Sequence, residues 1–142
     1  MTVNMLDGPT LKEATVQELH WELIRRSNYN AFDGRKACAF LERHRALWES
    51  VILDRLGFST GKDDETGSDW GLIKLRDLAG NHWNADTLIV LTPGRAAAEE
   101  LARLIGESDL GADCVTVESE EQTGRALGVM PCSQGLVSAW WD

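Results

Sequence analysis

The stretch from Trp83 to Glu118 constrains this chain most, because it alone reads as strand, helix and strand with a turn signal at each junction. Ala85-Asp86-Thr87-Leu88-Ile89-Val90-Leu91 is a short apolar, β-branched run suited to a buried strand, and Thr92-Pro93-Gly94 ends it at once. Thr92 is a suitable N-cap, and Pro93 then falls at the first helical position, where its missing N–H costs nothing. Ala96 to Leu104 are strong helix formers, and Gly106 marks the end. A second apolar run, Ala112 to Val117, follows after Gly111. A strand returning after a helical crossover most often runs parallel to the first, so the expected core is a right-handed βαβ unit.

The segments before this unit read as two helices. Thr10-x-x-Glu13 has capping-box spacing, and Val16, Leu19, His20 and Leu23 form a helical stripe that runs to about Arg26. Ser27-Asn28-Tyr29-Asn30 breaks the pattern. Asp33 then caps a longer helix whose apolar face holds Ala37, Phe40, Leu41, Trp48, Val51, Ile52 and Leu56, with Gly57 as its stop. Residues 1–9 read as a loose arm, and residues 58–69 as a flexible loop too polar to bury.

Gly71 to Arg76 has two readings. Ser68 stands where it would cap a helix, but Asp77-Leu78-Ala79-Gly80-Asn81 has the chemistry of a turn between extended segments, which favours a hairpin with His82 to Leu91. Ser119 caps a short helix that ends by Gly128. Leu136 to Trp141 alternates too little for a half-exposed strand, yet it is the one apolar run left to close the sheet. The expectation is a single α/β domain over residues 1–142, with two N-terminal helices followed by a small mixed sheet built on the hairpin and the βαβ unit.

Charge and composition narrow the function. The net charge is −9, from 23 acidic against 14 basic residues, which disfavours a phosphate-backbone partner. No apolar run approaches a membrane span and the N-terminus lacks the pattern of a signal peptide, so a cytoplasmic protein is expected, without membrane or nucleic-acid partners. Cys38, Cys114 and Cys132 form no C-x-x-C pair. Cys38 and Cys114 sit in apolar runs and are expected to be buried, with Cys132 in a loop. His20, His44 and His82 share no ligand spacing, so neither a metal nor a cofactor is expected, and no nucleophile, base and orienting group can be assembled into a catalytic set.

Two candidate surfaces remain. Six tryptophans in a chain with one tyrosine and three phenylalanines are the compositional outlier. The consecutive Trp140 and Trp141 point to opposite faces of a strand, so one of them must look away from the core. Together with Trp70, Trp83 and the acidic surface, they suggest an interaction or regulatory domain that works through another protein or its own copy. The alternative is a small-ligand or anion binding protein, or an enzyme, with its site at the C-terminal edge of the sheet, using Thr92, Gly94 and Arg95 with the hairpin charges Arg76, Asp77 and Asp86.

Overall fold

A computed structural model describes residues 10–55 and 73–142; the expected arm at 1–9, the loop at 58–69 and Trp70 lie outside these residues. The class is α/β, with two helices ahead of the first strand. α1 spans Val16–Arg26 and α2 spans Gly34–Arg43, followed by a 3-10 turn at Arg45–Leu47. β1 is Ser50–Asp54, α3 Ile73–Leu78, β2 Thr87–Thr92 and α4 Arg95–Glu107. β3 is Cys114–Val117, α5 Glu120–Leu127 and β4 Gly135–Trp140.

Local signals set most helix ends. Asp33 accepts from the Arg35 and Lys36 amides to cap α2, and Ser119 accepts from the Gln122 amide to cap α5, which stops at Gly128 with φ +71°. The capping box of α1 sits one turn later than the spacing at Thr10 suggests. Thr15 and Glu18 form it, while in the turn ahead of the helix the Thr10 hydroxyl donates to the Glu13 carboxylate.

Two segments differ from expectation. The second helix stops at Arg43, and Val51-Ile52-Leu53 is a strand whose residues alternate buried, exposed, buried. β-Branched residues fit an extended pleat better than a helix interior, and β2 offers a ladder there. In turn, the hairpin strand expected at Gly71 to Arg76 does not form over residues 73–76, the part of it that is described. Ile73–Leu78 is helical, because the place beside β2 is already taken by β1, although the turn at Gly80 and Asn81 forms as the residues imply.

The sheet order is β1-β2-β4-β3, with every neighbouring pair antiparallel. β2 and β3 run in the same direction on either side of α4, but β4 lies between them, so the βαβ unit is split and the sheet is antiparallel rather than mixed. The central position explains the sequence of β4: Leu136 to Ala139 are all buried, with β2 and β3 along its two edges.

α1, α2 and α4 pack on one face. Their Ile24, Phe40, Leu41, Leu101 and Ile105 form one core with Val51, Leu53, Leu88, Val90, Val137, Ala139 and Trp141 from alternate positions of the strands. Gly135 lets the β2–α4 turn close onto β4, since a Cβ there would lie 2.6 Å from the Gly94 carbonyl oxygen. Among the described residues, no helix is long and apolar enough to cross a membrane.

Candidate functional site

The register that buries one set of strand residues turns the other set to the reverse face. Ser50 pairs with Leu91 and Leu91 with Leu136; Ile52 pairs with Ile89; Thr87 pairs with Trp140 and Trp140 with Cys114. None of these reverse-face residues joins the core built by α1, α2 and α4. Ile52 keeps 39% of its surface exposed, and Ile89, Leu91 and Trp140 are half-buried.

The tryptophans therefore divide. Trp141 is fully buried, edge-on to Phe32 at 4.8 Å between ring centres, and its indole donates to the Leu110 carbonyl at 2.8 Å. It belongs to the core and not to a surface. Trp140, one residue earlier, looks to the reverse face, which is the division expected of consecutive strand residues. Trp83 is half-buried against the core and donates to the Leu53 carbonyl at 3.1 Å, with Lys74 over its ring. Its role is to close part of the outer edge of β1. Trp48 is also structural, stacked on Trp21 at 5.8 Å and bonded to the Leu41 carbonyl.

The residues of the alternative site lie at two ends of the sheet. Asp86 precedes β2 and accepts from the Thr87 hydroxyl, whereas Thr92 ends the strand and Gly94 follows it; six residues of strand put about 20 Å between them. Arg76 and Asp77 pair with each other in α3, and Asp77 also accepts from the buried Asn84, whose oxygen takes a bond from Arg55. Arg76 first, and then Asn84, hold the Asp77 carboxyl below the usual range, at about 2. That is a structural network around the entry to β2.

At the other end, Thr92 does not cap α4. Its buried hydroxyl donates to the Gly94 carbonyl at 2.8 Å, and Gly94 is the N-cap residue without a side-chain acceptor. Nearby is a cleft of about 490 Å³ whose lining includes Arg95, Glu118, Glu120, Thr123, Cys132 and Gln134. Of the three expected residues, only Arg95 reaches it. The guanidinium already donates to the Glu118 carbonyl at 3.1 Å and pairs with Glu99 at 3.3 Å, so an anion would compete for it. The approach of residues 131–135 to α5 across the close packing of Gly124 on Cys132 creates this cleft, and no local sequence pattern announces it.

The thiols and imidazoles supply no cluster. Cys38 is buried, which pushes its thiol up to about 12, and Cys132 is buried too, whereas Cys114 is exposed, contrary to expectation, because β3 is an outermost strand and Cys114 faces away from the helices. His44 lies against Phe40 and His82 against Tyr29, while the Nδ1 of His20 is buried without a hydrogen-bond partner. Among the described residues, no group of three His, Cys, Asp or Glu side chains is placed to hold a metal ion. No protein-family model, curated protein or solved structure matches this chain.

Proposed function

We propose that this chain is an interaction module that holds another protein chain against the face of its sheet opposite the helices. One observation carries the reading: α1, α2 and α4 lie on one face, and on the reverse face, where Thr87, Leu136 and Ser138 are buried, Ile52, Ile89, Leu91 and Trp140 stay at the surface or half-buried. Apolar side chains gathered on one face are the usual material of an interface core, and tryptophan is prominent among interface anchors. The net charge of −9 favours a partner with basic groups around that contact.

The experiment compares Trp140→Ala and Ile52→Lys with the unaltered chain. Both variants should keep a cooperative unfolding transition while losing co-purifying chains and, if the partner is a second copy, the faster-sedimenting species. Unchanged partners and unchanged sedimentation for both variants would remove the reading.

A second reading rests on the cleft at Arg95, whose volume of about 490 Å³ lies in the range of small-ligand sites. Its ligand would be a small anion or an anionic group. Added phosphate should then raise the melting temperature, and Arg95→Ala should abolish the rise. No phosphate-dependent shift would dismiss it.

A further inference from the structure

The two edges of the sheet are treated differently. In an antiparallel ladder, alternate residues of an outer strand turn their N–H and C=O groups inward to the neighbour and outward to solvent. On β1 the outward residues are Val51 and Leu53, and side chains take both backbone groups of the first and the carbonyl of the second. The Gln17 amide takes the Val51 N–H at 2.8 Å and gives a bond to the Val51 carbonyl at 2.9 Å, while the Trp83 indole donates to the Leu53 carbonyl.

On β3 the phase follows from the Glu118 amide, which donates to Leu136 directly opposite it. Cys114 and Thr116 share that phase and bond to β4, so Val115 and Val117 turn their backbone groups outward. Among the described residues, no side chain hydrogen-bonds to the backbone of either valine. Proteins usually blunt such an edge with lysine, proline or a covering element. Cys114-Val115-Thr116-Val117 has neither residue, and three of its four side chains favour an extended backbone.

We propose that the outer edge of β3 takes up one extended segment of a different protein as a fifth strand, and that this segment carries basic residues on both sides of a β-forming centre. This deepens, and rests on, the reading of the chain as an interaction module. Strand addition supplies affinity through main-chain hydrogen bonds, and flanking charge selects the partner. The charges flanking β3 are acidic: Asp113 and Asp142 stand at one end, joined through the Asp142 amide on the Asp113 carboxylate, and Glu118 and Glu120 at the other. Arg95, the nearby cation, is engaged with Glu99. An antiparallel pairing of β3 with its own copy would bring Asp113 of each chain toward Glu118 of the other, and like charges facing each other across strands are unfavourable.

The test uses the full chain and two short blocked peptides, one with a Val-Thr-Val centre and lysines at both ends, the other with glutamates in their place. The lysine peptide should slow amide exchange at Val115 and Val117, and added salt should weaken it at least tenfold. Val117→Pro removes one outward donor and no bond to β4, so it should abolish that protection. Should this variant not fold, the double change Asp113→Lys with Glu118→Lys is the second arm, and it should exchange the preference for the glutamate peptide.

No protection by either peptide, or equal protection by both, overturns the proposal. So does protection that appears on raising the concentration of the chain alone, which would make a second copy the occupant. If Val117→Pro keeps every native partner while Trp140→Ala and Ile52→Lys lose them, the edge proposal fails and the module reading stands. If edge and face variants all keep their partners, the module reading itself falls.

Discussion

Gln17 holds Val51 by both backbone groups, its amide oxygen 2.8 Å from the Val51 nitrogen and its amide nitrogen 2.9 Å from the Val51 oxygen. A primary amide has the donor and acceptor of a peptide unit side by side, so one side chain from α1 replaces the next strand of a sheet. It closes the edge and ties α1 to β1. Gln17→Ala should lower stability by about 1 kcal/mol, the usual net worth of such bonds where water can replace them. The Val51 amide should also exchange faster. Gln17→Glu removes the donor and sets a carboxylate against the Val51 carbonyl, so its loss should be at least as large. Undiminished protection of Val51 in Gln17→Ala would show that the edge is held by something else.

Gly135 and Gly106 should respond to alanine in opposite directions. At Gly135 a Cβ would meet the Gly94 oxygen and the Thr92 hydroxyl, both at 2.6 Å, and the Ala98 Cβ at 2.8 Å. These neighbours are backbone or buried, so Gly135→Ala should cost about 1–3 kcal/mol, the usual range for overpacking. At Gly106, inside α4, nothing lies within 4 Å of the added carbon, and Gly106→Ala should stabilise by up to about 1 kcal/mol through helix propensity. Denaturant midpoints read both changes. Equal shifts in one direction would contradict the packing of the β2–α4 turn on β4.

Trp141 and Trp140 should separate stability from association. Trp141→Ala empties a site with no exposed surface and leaves the Leu110 carbonyl without its donor, so a loss of about 3–5 kcal/mol is expected. Trp140 is only partly covered, and its truncation should cost no more than about 1–2 kcal/mol. Chemical unfolding of the two variants decides the matter. Equal losses would show that the reverse face is as closed as the core.

Glu22 gives the fold an acid-sensitive contact. Arg25 donates to the carboxylate through Nε at 2.8 Å and Nη2 at 2.6 Å, and Arg26 adds a bond at 2.8 Å. The Arg25 bonds, with those of Arg26, hold the Glu22 carboxyl at about 2, below its ordinary 4.5. Because the folded value is the lower one, the contribution is complete above the ordinary value and is lost as the pH falls from there toward about 2. The stability gap between the unaltered chain and Glu22→Gln should therefore be widest near neutral pH and shrink across that window. A gap that stays constant into acid would rule out this coupling.

Local chemistry was readable from the chain. Asp33 and Ser119 were recognisable as caps and Gly128 as a stop, because capping is settled within a few residues of the helix end. The strand before Thr92, the helix beyond it and the strand from Cys114 were readable for the same reason: propensity and turn residues agree there. Of the candidate sites, the division of Trp140 from Trp141 followed from the two-residue period of a strand, and Arg95 was placed beside a cleft.

What the amino-acid order by itself determined, then, is the α/β class, most helix ends and the opposite facing of consecutive strand residues. Tertiary structure decided the partners. Residues 50–54 became a strand because β2 offered a ladder, and residues 73–78 became a helix with that place already filled. β4 entered between β2 and β3 because its apolar residues could be buried on both faces only in the centre of the sheet. The closing of one edge by Gln17, 34 residues from Val51, and the openness of the other are likewise long-range outcomes. Pairing energy depends on which surfaces meet, and surfaces distant in the chain meet only when the whole core assembles.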